Sequence, residues 1–438
     1  MKVSIMNLGC PKNQKDGEQA LSCFIKKGFS YEKDPRKSDV IIVNTCSFID
    51  DAKKESIAAI LECASIKKKK VLLIMGCLSQ RYPEEIMKDI PEADVILGTG
   101  NVDKAYDLYI EFINNKKRLI DVCTPGFIQT DNSYIKTLKN SNYIPETQTS
   151  SSYVKVAEGC SNRCTYCVIP SIRGTAVYRP KDKVLEEIKA LKRVGVKETI
   201  LIAQDLSSNK KYLKDLLRGI CSIKPSERPE WVRLMYCNPW GVDSELISII
   251  KNEECIVKYI DMPVQHISDT VLKRMGRASS AASIYKKLDQ LKNSGIAIRS
   301  TVMTGFPGEK ASDFNELKKL VKASYFHWLG IFVYSPQEGT PSYSMKGQLA
   351  YNIATERRNE LDTMQFDITS SFNETYLGKT LKVLLCGKED RSKIGRIFSQ
   401  APSVDGLVRI TGSLKKDGGF VNVLITDNLG YDIKGKIV

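Results

Sequence analysis

The chain has 438 residues, with 66 Lys and Arg against 51 Asp and Glu and a formal charge of +15. That length supports two or three domains with cores of their own, so disulfide staples are not needed. No apolar run approaches the ~18–20 residues of a membrane span, and the opening MKVSIMNLGCPKN reads as a strand and a polar turn rather than a secretory leader. A cytoplasmic chain with no membrane partner is expected. In that reducing compartment its thirteen cysteines stay free, bind metal or react. The positive charge favours acidic partners, nucleic acid or ribonucleoprotein first, although it is spread along the whole chain. The run Lys67 to Lys70 reads as a solvated helix end.

The first hundred residues alternate short apolar runs (KVSIMNL, DVIIVN, VLLIM, DVIL) with helical patterns, four times over. Continuous β-branched runs interleaved with helices predict a parallel, doubly wound αβ sheet over 1–122. Residues 123–150 turn polar and irregular, as a linker or mobile loop does. A second alternation over 151–371 has strands YVKVAE, TILIAQD, WVRLMYCNP, IVKYIDMPV, AIRSTVMTGFPG and WLGIFVYSP, a helical pattern following each. Six βα units are too few for a closed eight-stranded barrel and predict an open, partial (βα)6 one. Over 372–438 the helical period vanishes, and LKVLLCGK, GRIFSQAP, GLVRITGS and FVNVLITDNLG predict a small all-β barrel or sandwich.

Directly after the first strand of the second alternation stands EGCSNRCTYCVIP, with Cys160, Cys164 and Cys167. That is the strand end at which open α/β sheets and barrels place their sites. A structural zinc takes four ligands, and an all-cysteine trio is uncommon for catalytic zinc. A 4Fe-4S cubane held by three cysteines keeps one iron open for a reacting ligand. CxxxCxxC is a signature of the radical S-adenosylmethionine (SAM) superfamily, and Tyr166 occupies its favoured aromatic position. The resemblance implies that SAM chelates the open iron and is cleaved to a 5'-deoxyadenosyl radical by one electron.

A second trio is dispersed: Cys10 in NLGCPKN, Cys46 in VNTCSFI and Cys77 in MGCLSQR, each ending a strand. In a parallel sheet those ends share one rim. Residue spacing alone leaves open a second cluster or buried core thiols. Cys23, Cys63, Cys123, Cys221, Cys237, Cys255 and Cys386 read as packing residues.

The order of a cysteine-bearing αβ domain, a CxxxCxxC barrel and a C-terminal β domain resembles the radical SAM methylthiotransferases. That resemblance spans nearly the whole chain and implies two 4Fe-4S clusters and a TRAM domain. LGCPKN, NTC and MGC match the family's three N-terminal cysteine contexts. GCPKN at 9–13, QHIS within 264–277 and EGT within 334–340 are closest to the branch that modifies a ribosomal protein, the RimO type. The transfer-RNA branch, the MiaB type, usually reads GCQMN, QSGS and RPGT there. Gly17 departs from the family's usual Ser in DSE, and AVYRP at 176–180 from its usual RSRP.

What the RimO-type resemblance implies is replacement of a hydrogen on the β-carbon of an aspartate, in the twelfth small-subunit ribosomal protein, by a methylthio group. Such a C–H bond is not acidic, so ordinary acid–base catalysis is excluded and radical chemistry remains. The partners implied are that ribosomal protein, free or on the ribosome, and a one-electron donor such as flavodoxin or ferredoxin. RNA contact is left open by eleven Lys and Arg against seven Asp and Glu from residue 372 onward. TGFPGE at 304–309 is either a close approach to a ligand or a tight strand-to-helix turn. Gln204 and Asp205 share the rim, as does His266; His327 reads as structural.

Overall fold

The computed structural model describes residues 1–123, 133–141, 150–389, 392–412 and 418–438. Its first sheet contains β1 (Lys2–Asn7), β2 (Ser30–Tyr31), β3 (Val40–Thr45), β4 (Val71–Gly76), β5 (Val95–Leu97) and β6 (Leu119–Asp121). They run parallel in the order β2-β1-β3-β4-β5-β6. VIIVNT and VLLIMG are buried from end to end because both faces are covered. Val40, Ile42, Leu73 and Met75 join the main core, while Ile41, Val43, Leu72 and Ile74 pack on the opposite face. The four predicted strands are the central ones. The two edge strands β2 and β6 were missed, being two and three residues long and not fully buried, too short to show a period.

Within the predicted linker, Ser133–Lys139 forms a helix that packs against the helix Pro11–Lys26. Tyr134, Ile135 and Leu138 enter the core, in too short a run to announce a helix. The rest of that linker lies outside the described residues.

The second sheet is β7 (Ser151–Lys155), β10 (Glu198–Ile202), β11 (Trp231–Leu234), β12 (Ile256–Asp261), β13 (Ala297–Thr304) and β14 (Trp328–Val333), parallel and side by side in chain order. Between its first two members a short antiparallel pair, β8 (Ala157–Glu158) and β9 (Val177–Tyr178), brackets the CxxxCxxC loop. The six predicted strands are present and the sheet is open. Alternate residues face opposite ways: Leu201, Val232, Leu234 and Ile260 enter the helix-covered core, while Ile200, Trp231, Val257 and Tyr259 meet Leu384 and Ala401 of the C-terminal part.

A helix over Tyr351–Glu374 leads to a closed barrel of β15 (Thr380–Glu389), β16 (Ser392–Arg396), β17 (Val408–Thr411), β18 (Phe420–Leu429) and β19 (Asp432–Ile437), in the order β15-β16-β17-β19-β18. Among the described residues of the barrel, only β17 and β19 pair in parallel. The unpredicted strand, β19, reads DIKGKI, whose lysines and glycine hide its single fully buried apolar residue, Ile433. Glu198 fastens the barrel to the sheet: it pairs with Arg233 at 2.7 Å and with Arg396 of β16, while Tyr259 donates to Asp405 at 2.8 Å.

Candidate metal centres at the domain junction

The order β1-β3-β4 sets the strands that lead to Cys10, Cys46 and Cys77 side by side, so their three loops leave one rim together. Cys10 is the N-cap of the helix Pro11–Lys26, and Cys77 opens the helix Cys77–Arg81. Asn13, fully buried, ties all three loops: its amide donates to the Leu8 and Thr45 carbonyls at 2.8 Å each, and its Oδ1 lies 3.8 Å from the Cys77 sulfur. Gly9 is required there, with φ +88° and an imagined Cβ only 2.7 Å from that of Cys46.

Burial pushes the Cys46 thiol up to about 12, with Cys77 and Cys10 adding to the rise. It also raises Cys77, against the pull of Arg173. Cys10 is the exception: burial is outweighed by Lys12, Arg173 and the Asn13 and Lys12 backbone N–H groups, which hold its thiol below the ordinary value.

The second trio lies in the loop between β8 and β9. Gly159 turns there at φ +75°, where a Cβ would meet the Thr175 carbonyl at 2.2 Å. Cys160 faces the Asn162 amide at 3.5 Å, and that amide donates to Asp205 at 2.6 Å. The Arg277 guanidinium approaches Cys164 at 3.8 Å while donating to the Pro263 carbonyl at 2.8 Å. Burial pushes Cys167 up to about 12, opposed by the Ile169 N–H. Tyr166 packs edge-on to Phe306, ring centres 6.3 Å apart, within an apolar cluster that includes Val271 and Met275. Thr165 N donates to the Met275 carbonyl at 3.0 Å, so the loop rests on the RMGR segment.

The trios approach each other because Cys77 packs on Val168 and Ile172, immediately past Cys167. Beneath this contact is a buried ionic cluster. Arg173 faces Asp16 at 2.9 Å and Glu158 at 2.8 Å, Lys155 faces the same two carboxylates at 2.5 Å each, and Arg173 also lies 3.4 Å from the Cys77 sulfur. Further out, Arg81 donates to Gln337 at 3.0 Å and to the Glu338 carbonyl at 2.8 Å. The 334–340 stretch is thus joined to the N-terminal sheet.

Among the described residues, no three His, Cys, Asp or Glu side chains stand at the spacing of a single-ion site. A cubane is wider than an ion and takes its three thiolates on three separate irons. Thiols on three loops in the first trio and on one loop in the second, each backed by a backbone N–H, an amide or a guanidinium, form donor sets suited to it. The thiols lose their protons on binding metal, so loading is pH-dependent.

The remaining candidates divide. Gln204 donates to Glu158 at 2.5 Å, and Asp205 holds Asn162 and the Ser207 N–H, so both act from behind the cluster loop. His266 is buried, accepting from the Ser268 N–H at 3.0 Å, with Nε2 3.7 Å from Glu309. His327 stacks on Phe372 at 4.0 Å. In TGFPGE, a Cβ on Gly305 would strike Ala354 at 2.3 Å and one on Gly308 would strike Arg274 at 2.8 Å, so packing accounts for both glycines. Of the cysteines read as packing residues, Cys63, Cys237 and Cys255 lie in the cores. Cys221 and Cys255 meet sulfur to sulfur at 3.2 Å, at the strand-entry edge away from the trios.

Comparison with known proteins agrees with this geometry. Family models described as "Uncharacterized protein family UPF0004", "Radical SAM superfamily" and "TRAM domain" match residues 2–98, 154–321 and 377–438. The ribosomal protein uS12 methylthiotransferase RimO of Caldanaerobacter subterraneus subsp. tengcongensis is 41% identical over 444 residues, 99% of each chain. The chain belongs to the RimO methylthiotransferase family. Its counterpart from Geotalea uraniireducens is 40% identical over 451 residues, 100% of this chain and 98% of that one. Among solved structures, the radical SAM methyltransferase TsrM from Kitasatospora setae, with cobalamin and a 4Fe-4S cluster bound, aligns at TM-score 0.57 and 14% identity over 78% of this chain and 77% of that one, a likeness of fold. Family membership makes this a radical SAM enzyme that uses a 4Fe-4S cluster and SAM. Among the described residues, no helix is long and apolar enough to cross a membrane.

Sequence reasoning missed Lys12, Asn13, Arg173 and Arg277. Asn13 and Lys12 lie inside the quoted GCPKN, but nothing in a linear motif says that an amide spans three loops. Arg173 looks like any surface arginine until its burial is seen.

Proposed function

We propose that this enzyme inserts a methylthio group at the β-carbon of an aspartate in the small-subunit ribosomal protein uS12, using two 4Fe-4S clusters. The observation that carries this reading is the packing of Cys77 on Val168 and Ile172, which brings the two cysteine loops to one junction. In it, Cys160, Cys164 and Cys167 would hold the cluster that serves SAM, with Tyr166 shaping the pocket beside it. Cys10, Cys46 and Cys77 would hold a second cluster, which would supply the sulfur chemistry. Bound there, the clusters and SAM supply the one-electron chemistry and the sulfur and methyl groups that an unactivated C–H bond demands.

The chain's own part is positioning and charge. Asn13 keeps the three N-terminal loops in register, and Arg173 sets a positive charge against Cys77 from a site closed to water. Arg277 does the same beside Cys164. The working division is an N-terminal domain of 1–122, a linker of 123–150, a radical SAM core of 151–371 and a TRAM domain from 372 that presents the substrate, on or near RNA. A flavodoxin or ferredoxin supplies electrons, and the compartment is the cytoplasm.

The test is mass spectrometry of purified uS12 after anaerobic reaction with the reconstituted enzyme, SAM and a reductant. A gain of CH2S on one aspartate is expected. Labelled methionine fed to cells lacking this protein provides the contrary arm. If the label vanishes from transfer-RNA nucleosides and stays on the ribosomal protein, the substrate is an adenosine and the reading fails.

A further inference from the structure

Burying a lysine is unfavourable unless an opposite charge faces it. Elsewhere in the described residues the rule is kept: Lys15 meets Glu18, Lys155 and Arg173 meet Asp16 and Glu158, Arg179 meets Glu187, and Arg233 and Arg396 meet Glu198. Lys12 breaks it. Its side chain is 8% exposed, and among the described residues no carboxylate forms an ion pair with it. It also sits in the first turn of a sixteen-residue helix that has no acidic residue there, where the helix dipole disfavours a cation.

What faces Lys12 is an aromatic ring. Its ammonium stands 3.4 Å from the centre of Tyr236, on the rim just past β11. Tyr236 is held at φ +65°, a strained conformation for a bulky residue, by its N–H donating to Asp261 at 3.0 Å and its carbonyl accepting from Leu206 at 2.9 Å. A cation, a strained aromatic platform and Cys10 therefore converge between the N-terminal trio and the barrel rim. Arg173 already sets a positive charge beside the thiols, and its own acids balance it.

We propose that Lys12 receives the side-chain carboxylate of the substrate aspartate, with Tyr236 fixing the direction of its ammonium. The inference rests on the reading that the substrate is a protein aspartate. The carboxylate is one bond from the β-carbon, so gripping it places the reacting carbon near the junction of the two cysteine loops. An adenine base has no such anion to offer. Lys12 is then a positioning and specificity residue, and its missing acid is supplied by the substrate.

The experiment compares equilibrium binding of uS12, with its target aspartate intact or changed to asparagine, to the anaerobically reconstituted full-length enzyme and to its Lys12→Met and Lys12→Arg variants. A charge-assisted contact predicts that the unmodified enzyme prefers the aspartate form by roughly tenfold to a hundredfold. Lys12→Met should bind both forms alike, at the level of the asparagine form, and Lys12→Arg should recover part of the preference. Because Lys12 also lowers the neighbouring Cys10 thiol, binding is compared between preparations of equal iron content and visible absorption. Retained discrimination in Lys12→Met overturns the proposal. So does a fall in SAM affinity in place of uS12 affinity. An enzyme that modifies uS12 while showing no aspartate preference sinks this inference alone. One that modifies transfer RNA instead sinks the reading beneath it as well.

Discussion

Arg173→Met isolates the ionic cluster that joins the two cysteine-bearing domains. The side chain is 1% exposed and balances Asp16 and Glu158 together with Lys155. Burial works against ionisation of Glu158, but Arg173 and Lys155 outweigh it and hold its carboxyl at about 2, so Glu158 is charged at neutral pH. Removing the guanidinium leaves two buried carboxylates facing one ammonium. One charge pair about 4 Å apart at an effective dielectric of about 20 is worth about 4 kcal/mol. That agrees with the ~3–5 kcal/mol lost when one partner of a buried pair is removed. Equilibrium urea unfolding of the metal-free protein should show a loss of that size. The double variant Arg173→Met/Glu158→Gln restores neutrality and should regain about half of it. Because the contact with the Cys77 sulfur is missing in both, N-terminal iron should stay low in both after reconstitution. A loss below ~1 kcal/mol in the single variant, or a double variant no more stable than the single, would refute the charge argument.

Asn13→Ala severs the amide bridges between the Leu8, Thr45 and Cys77 loops, and reconstitution should then yield about half the parent iron, with the CxxxCxxC share intact; undiminished iron would show that the loops need no clasp. Gly17→Ser places a Cβ 2.0 Å from the Asn7 Oδ1 and should destabilise the N-terminal sheet by about 1–3 kcal/mol in urea, whereas an unchanged midpoint would mean that Asn7 swings aside freely. Glu198 is held at about 2 because Arg396 and Arg233 outweigh its burial, against an ordinary 4.5. Its folded value lies below the unfolded one, so its stabilisation of about 3 kcal/mol is complete above pH ~4.5 and is lost as pH falls towards 2. Tryptophan fluorescence from Trp231, which packs on Phe420 of the barrel, should report that loss, and the stability gap between the parent and Glu198→Gln should close over the same window.

The sequence by itself determined the elements whose signal is local. Runs such as VIIVNT and VLLIM must be buried on both faces, which specifies a parallel sheet with helices on each side, and CxxxCxxC after a strand carries the resemblance to the radical SAM superfamily. It also carried Cys10, Cys46 and Cys77 as strand-end residues, since parallel strands share a rim whatever their order. Short elements escaped: β2, β6 and the helix Ser133–Lys139 are held by the partners they pack on and have too few residues to set a period, while the lysines and glycine of β19 hide its one fully buried apolar residue. Only the tertiary structure decided that β1, β3 and β4 are neighbours, that Cys77 rests on the loop after Cys167, and that Arg173 is buried among acids drawn from two domains. The physical reason is that charge balance and burial are properties of assembled surfaces. Lys12 reads as an ordinary helical lysine until the described fold closes around it and no carboxylate is there to meet it.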